Sequence, residues 1–262
     1  MRIVVCIKQV PDTTNIKVDP ETGTLKRETA GTVMNPFDMY AVEEGLRIKE
    51  KVGGTVTVVT MGPPMAKEML KVTIGMGVDE AILLSDRLLA GSDTWATSYA
   101  LAKAAEKIGC DIILFGKQAV DGDTAQVGPS TAQYMKMPSL TWVKKIREIN
   151  DKEIVVERMM EDGIDVVKAT LPVALTVVKE INEPRLESLK GKMRAKKYEP
   201  AIMTLADING DEKMVGVKNS PTRVAKSWNA TREAGKAEMI EGDAAQKAEN
   251  LFGKLKSLGL VK

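Results

Sequence analysis

Residues 111–128, DIILFGKQAVDGDTAQVG, hold the reading that decides the fold. Asp111–Gly116 is a short, almost unbroken apolar run closed by a glycine, the pattern of a strand buried on both faces of a parallel sheet. The loop Gly116-Lys117-Gln118-Ala119-Val120-Asp121-Gly122-Asp123-Thr124-Ala125-Gln126-Val127 leads into a helix predicted to begin near Thr124. A strand end, a glycine-containing loop and a helix start make one of two things. Either free backbone N–H groups and the positive helix end hold phosphate oxygens, or this is an ordinary capped turn. The spacing matches neither Walker A nor G-x-G-x-x-G. Asp121 and Asp123 repel phosphate, so they read as acceptors for ribose hydroxyls or as helix caps.

Three further apolar runs have the same character: Ile3–Ile7, Thr55–Met61 and Ala81–Leu84. Helical patterns lie between them. Asn35-Pro36-Phe37-Asp38 reads as a turn and cap before a helix carrying Met39, Val42 and Leu46 to about Lys51. Ala66, Met69, Leu70, Thr73, Ile74 and Gly77 keep helical spacing. Asp93-Thr94 caps a third helix with Tyr99, Ala102, Ala105 and Ile108 on one side. Alternating strands and helices predict an α/β fold with a doubly wound, mostly parallel sheet. Ligands of such sheets bind at the carboxyl ends of strands, where Cys6, Asn35 to Asp38, Met61, Gly62 and Pro63 also converge. Thr94 and Thr97 share one face of their helix; they either meet a flat polar ring or serve as N-caps.

From Ser139 the rhythm changes. Ser139–Arg147 and Glu153–Met159 read as a hairpin, and Val166–Thr170 and Val173–Val178 as further strands, together an antiparallel extension. Between Arg185 and Glu199, the basic Arg185, Lys190, Lys192, Arg194, Lys196 and Lys197 outnumber Glu187 and Glu199, without helical or strand period. That is a solvated arm or a docking surface. The stretch to about Glu238, with Pro221 and Gly235, reads as a loop-rich arm. A last helix has Ala244, Ala245, Ala248, Leu251, Phe252, Leu255 and Leu258 on one face. The pattern divides the chain into an α/β domain over 1–183, a basic segment over 184–200, and an arm with a helix over 201–262.

Composition narrows the chemistry. The 262 residues include no histidine, which removes imidazole bases, histidine-dependent nucleophiles and imidazole metal ligands. The two cysteines, Cys6 and Cys110, are too far apart in sequence for a metal-ligand pair and sit in apolar runs, as core thiols do. Redox or group-transfer chemistry would need a bound cofactor. A net charge of +2 and 4% aromatic residues do not suggest nucleic acid. No apolar run is long enough for a membrane span, and Met1-Arg2-Ile3-Val4-Val5 already reads as a strand, so a cytoplasmic protein is expected.

Several blocks resemble one family. Val156-Glu157-Arg158-Met159-Met160-Glu161-Asp162-Gly163, continuing through Asp165, Val167 and Pro172 to Leu175-Thr176-Val177, is similar to the signature of the electron transfer flavoprotein β-subunit. Asp165 stands where Glu or Gln is usual, and Ala174 where a larger aliphatic residue is usual. Asn35-Pro36-Phe37, Ala41-Val42-Glu43-Glu44, Gly75-Met76-Gly77, Gly116-Lys117-Gln118-Ala119 and Asn182-Glu183-Pro184-Arg185 also resemble family blocks, and the likeness covers nearly the whole chain. The resemblance implies a heterodimer with an α-subunit, in which the domain over 1–183 binds a nucleotide and the segment over 184–200 recognises a partner. It implies nucleotide contacts at Cys6, Asn35, Pro36, Phe37, Asp38, Met61 and Gly116 to Val127. It also implies a docking loop for acyl-CoA dehydrogenases at Pro184–Lys197, anchored by Leu189.

Simpler members hold AMP in the β-subunit. A second branch binds FAD there, oxidises NADH and splits the electrons between ferredoxin or flavodoxin and, through the α-subunit flavin, the dehydrogenase. Val59-Thr60-Met61-Gly62-Pro63-Pro64 and Ser85-Asp86-Arg87 with Gly91-Ser92-Asp93-Thr94-Trp95-Ala96-Thr97-Ser98 resemble that branch, and simpler members lack the latter block. Thr94 and Thr97 are then expected near the flavin ring, with Gly62, Pro63, Asp86 and Arg87 along the NADH path. FAD in the β site is the first expectation. Structural AMP is the alternative, and a nucleotide-binding sensor without redox partners is the reading from another class.

Overall fold

The computed structural model describes residues 1–12, 31–225 and 237–261. Its strands are β1 (Arg2–Cys6), β2 (Gln9–Pro11), β3 (Thr32–Met34), β4 (Thr55–Met61), β5 (Glu80–Leu84), β6 (Ile112–Gly116), β7 (Ser139–Ile149), β8 (Glu153–Met159), β9 (Ile164–Thr170), β10 (Val173–Val177) and β11 (Ala201–Met203). Its helices are α1 (Pro36–Val52), α2 (Lys67–Met76), α3 (Thr94–Ile108), α4 (Val127–Tyr134), α5 (Leu189–Lys197) and α6 (Ala244–Ser257). Two compact units divide the chain, Met1–Ser227 and Trp228–Lys262.

The unbroken apolar runs become strands because both of their faces find a helical layer. Ile3, Val5, Val58, Leu83, Ile112, Leu114 and Leu175 pack on one face with Val42 and Leu46 of α1 and Leu70 and Ile74 of α2. The alternate residues, Val4, Cys6, Val59, Leu84, Ile113 and Phe115, pack on the other face with Tyr99, Ala100 and Ala104 of α3 and Ala132 of α4. Period-two alternation thus sends apolar side chains to both sides, with the threonines Thr57, Thr60 and Thr176 buried among them.

The large sheet has nine strands in the order β11-β5-β4-β1-β6-β10-β7-β8-β9. From β1 the chain builds outward through β4 and β5, then returns across the sheet to place β6 on the other flank of β1. The strand order therefore reverses between β1 and β6, and at such a reversal the connecting loops part to leave a crevice at the carboxyl edge. The doubly wound, mostly parallel α/β fold holds.

Several expectations need correction. Val173–Val178 is not part of an antiparallel extension: β10 lies parallel between β6 and β7, fully buried inside the sheet. Among the described residues, the antiparallel pairings of the large sheet are β7 with β8 and β8 with β9, beyond a bend where Trp142 takes a φ of 60°, and β2 and β3 form a separate antiparallel pair. Gly77 does not continue the apolar face of α2 but ends the helix at a φ of 120°, a conformation favouring glycine. The basic segment is helical. Ser188 caps α5 by accepting from the Gly191 N–H, and α5 packs on α2.

Residues 201–225 form no arm. β11 pairs in parallel with β5, and Leu205, Ile208 and Val215 are buried in the second core. The compact unit accordingly extends past residue 183, to Ser227. The part of the expected arm at 226–236, including Gly235, lies outside the described residues. In the second unit, α6 opens with a capping box between Asp243 and Gln246; its Leu251 and Phe252, and Leu258 at its C-cap, are exposed. Among the described residues no helix is long and apolar enough to cross a membrane.

Candidate nucleotide site

The carboxyl ends of β5, β4, β1 and β6 lie side by side and form one continuous edge. At the β1/β6 end, residues 117–126 leave the strand and make a tight turn in which Ala119 O accepts from the N–H groups of Gly122 and Asp123. Asp123 and Ala125 have positive φ, 53° and 54°, and α4 begins only at Val127, not near Thr124. The sequence missed this because two left-handed residues delay the helix while leaving its polar composition unchanged. Among the described residues, the backbone N–H groups of Thr124, Ala125, Gln126 and Val127 have no partner. Consecutive N–H groups around left-handed residues form a concavity suited to an anion, here continuous with a helix start. This donor set fits the phosphates of an adenine dinucleotide or mononucleotide.

Neither acidic residue of the loop caps the helix. Asp121 is held by both oxygens on Lys8 Nζ, at 2.6 and 2.8 Å, and Asp123 accepts from Gln118 Nε2 at 2.6 Å. The pairing of Lys8 with Asp121 was not legible from sequence, and its ammonium offsets the negative charge that a phosphate would otherwise meet. Lys117 turns away from the loop, its Nζ lying 5.2 Å from the Phe37 ring centroid and 4.6 Å from that of Trp142. Asn35 stands at the N-cap of α1, but its side chain does not cap the helix; its amide reaches across to Gln118 and Val120.

Pro36 takes the first turn of α1, where its missing N–H is harmless. Cys6 is buried at the end of β1, and burial pushes its thiol well above the usual value. Its side chain is an inert core group with its backbone at the edge.

Thr94 joins this site. Its Oγ1 lies 2.9 Å from Gln126 Oε1, which ties the start of α3 to the end of the loop. Ser98 reinforces the same junction by bonding Val127 O. Asp93, not Thr94, is the cap, accepting from the Ala96 N–H. Thr97 donates only its backbone N–H, to Asp93 O, so its hydroxyl remains available among the described residues.

At the β4/β5 end is a cavity of about 760 Å³ whose lining includes Met61, Gly62, Pro63, Asp86, Arg87 and Ser92. A Cβ on Gly62 would touch only Ala66 Cβ, at 3.4 Å, so the glycine leaves cavity space open. Pro63 precedes the short 3-10 turn Pro64–Ala66 rather than opening α2 directly. Asp86 is committed to structure: one oxygen accepts from Leu88 N and the other from Leu205 N. Arg87 is exposed and its guanidinium has no hydrogen bond among the described residues, so it is the free cation beside the cavity.

The basic helix divides in two. Arg185 is anchored, donating to Glu43 and to Glu50, and Arg194 donates to the carbonyls of Val78 and Asp79 at the end of α2. Both guanidinium groups are thus tied to the chain's own carboxylates and carbonyls. Leu189, Lys190, Lys192, Lys196 and Lys197 are exposed, with Leu186 and Met193 beside them.

Comparison with known proteins agrees with this architecture. The family described as "Electron transfer flavoprotein domain" matches residues 22–208. The chain is similar to a protein of Thermoanaerobacterium thermosaccharolyticum named electron transfer flavoprotein subunit beta, 47% identical with 100% of both chains covered. It is also 47% identical, again over 100% of both, to the caffeyl-CoA reductase-Etf complex subunit CarD of Acetobacterium woodii. Protein FixA of Azotobacter vinelandii is 44% identical over 97% of this chain and 94% of its own.

Proposed function

The chain belongs to the electron transfer flavoprotein β-subunit family, and from that premise we propose that it binds FAD and, with an α-subunit, oxidises NADH and divides the electrons. One goes to ferredoxin or flavodoxin, the other through the α-subunit to an acyl-CoA dehydrogenase. The observation that carries this reading is the unbroken edge. A loop whose free backbone N–H groups suit an anion stands at the β1/β6 switch point, and a large cavity opens at the neighbouring ends of β4 and β5. A mononucleotide needs the first; an extended dinucleotide and a second nucleotide substrate would use both. The likeness to CarD, a subunit of a protein named as an Etf complex, supports the same branch.

When bound, FAD supplies the hydride and electron chemistry, since no side chain here is suited to it. The protein's part is placement. The N–H groups of residues 124–127 would hold phosphate oxygens, Lys8 screens Asp121, and the hydroxyls of Thr94 and Thr97 would face the ring. Arg87 would meet the phosphates of NADH at the cavity mouth. Leu189 and Met193, flanked by Lys190, Lys192, Lys196 and Lys197, suit a partner with an apolar pocket rimmed by acidic groups. The exposed Leu251 and Phe252 of α6, with Leu258 at its C-cap, suit packing against the α-subunit.

Cofactor content of the purified heterodimer tests the reading. A second FAD beyond that of the α-subunit, with NADH-dependent ferredoxin reduction requiring the dehydrogenase and its enoyl-CoA substrate, is the expected result. AMP in place of that FAD, with no NADH oxidation, would leave an electron carrier.

A further inference from the structure

Two buried polar side chains open α1, Asn35 at 0% exposure and Asp38 at 6%. Neither serves its own helix. Asp38 Oδ2 accepts from the Lys8 N–H at 2.7 Å, and Oδ1 accepts from the Gly116 N–H at 3.2 Å. Asn35 Nδ2 donates to Gln118 O at 2.8 Å, and its Oδ1 accepts from the Val120 N–H at 3.1 Å. The Asn35 N–H itself donates to Lys8 O at 2.9 Å. Gly116 admits this approach only because it has no side chain, since a Cβ there would lie 2.6 Å from the Phe37 carbonyl carbon and 2.8 Å from Asp38 N. One turn thus gathers the ends of β1 and β6 and the first half of loop 117–126.

We propose that the side chains of Asn35 and Asp38 shape the nucleotide edge by holding loop 117–126 and the ends of β1 and β6, and that Asp38 acts as a carboxylate, so ligand affinity falls as pH drops. The inference rests on the nucleotide reading above and names how that same site is regulated. Both oxygens of Asp38 face backbone N–H groups, and a carboxylate satisfies both. Protonation turns one oxygen into a donor facing another donor, and one strand end is released.

Burial pushes the Asp38 carboxyl up to about 7, against the opposing effect of Asn35 and the Lys8 and Gly116 hydrogen bonds. The titratable and charged groups against it are Cys6 and Lys8 on the β1 side, Lys8 being bonded to Asp121, and Lys117 above the Phe37 ring.

Titration of the full chain with FAD and with ADP-ribose, at pH 6 and pH 8, provides the test, because the phosphates of both probes are diesters that do not titrate between those values. If only the ionised form is competent, the dissociation constant of the wild type rises about tenfold from pH 8 to pH 6. Asp38→Asn should bind weakly at both pH values with no slope. Asn35→Ala should weaken binding yet keep the wild-type slope, because it removes a loop tether and leaves Asp38 titrating. A flat wild-type profile overturns the proposal, as does an Asp38→Asn variant that keeps the slope. The wild-type profile decides alone if Asp38→Asn does not fold. A wild-type chain that binds neither probe at either pH refutes the nucleotide reading itself, an outcome distinct from binding without slope.

Discussion

Replacing Arg185 with alanine separates a structural anchor from a docking contact. The guanidinium donates to Glu43 Oε2 at 2.8 Å and Oε1 at 3.1 Å, and to Glu50 at 2.6 and 3.1 Å. The Glu50 side chain is 58% exposed, so that pair contributes about 0–1 kcal/mol. Glu43 is 3% exposed, so its pair with Arg185 matters more. In the variant Glu43 keeps Arg47 Nε at 2.9 Å and the residue 185 N–H, which limits the loss. The net expectation is about 2–3 kcal/mol, or roughly 5–10 °C in melting temperature for a unit of this size.

The sign with pH follows from Glu43. Burial raises its carboxyl, but the hydrogen bonds from Arg185 and Arg47 outweigh burial and hold it below the usual carboxylate range. A depressed carboxylate adds stability above its unfolded value and loses it as pH falls through the folded one. The gap between wild type and Arg185→Ala, followed by calorimetry, should therefore be full at pH 7 and close in acid below about 4. An unchanged melting temperature at pH 7, with slower electron delivery to the partner dehydrogenase, would refute the anchor argument and return Arg185 to the docking surface.

Three other perturbations test different links. Gly116→Ala should weaken FAD binding at least tenfold and destabilise by about 1–3 kcal/mol, since backbone atoms of Phe37 and Asp38 occupy the space its Cβ needs; Gly122→Ala, with nothing within 4 Å, serves as the neutral control by denaturant titration. Asp38, with its carboxyl pushed up by burial to about 7, should make the ligand-free chain less stable as pH rises from 6 to 8, by about 1 kcal/mol, and a scan showing no such decline in its contribution relative to Asp38→Asn would contradict the burial argument. Burial pushes Cys6 far up and Cys110 up to about 11, so iodoacetamide at neutral pH should label neither in the native chain within a time that labels both after unfolding, read by mass spectrometry.

Local pattern sufficed wherever one segment's chemistry matched its surroundings. Thr55–Met61 was legible to the residue because a β-branched run between Gly54 and Gly62 has few other uses. α1 and α3 were legible from an apolar stripe with a turn or cap before it. α5 escaped because its only buried side chain is Ala195, and what seats it is a close approach to α2. There, a Cβ on Gly191 would lie 2.9 Å from the Gly75 carbonyl carbon. β11 escaped because three residues carry too little pattern, and Tyr198, just before it, is held from afar by the Ala81 N–H. Gly116 to Val127 and Asn35 to Asp38 meet at one sheet edge, as strand ends read from sequence suggest, but the hydrogen bonds between them were not legible.

The sequence by itself determined the layers of this protein. Runs of valine, isoleucine and leucine with no polar alternation require burial on both faces, and helices between them supply it. The same sequence, with no histidine and two widely separated cysteines, raised the expectation that redox chemistry would need a bound group. Tertiary structure alone decided which strand lies beside which, and so where the order reverses. β10 entered the centre of the sheet because its both-faced apolar surface is satisfied only between β6 and β7, a pairing across more than fifty residues that no local period encodes. It also decided the roles of polar side chains. Asp38, Asn35 and Arg185 each stand where a helix cap or a free charge would be expected, and each is spent on a backbone or carboxylate that only folding brings within reach.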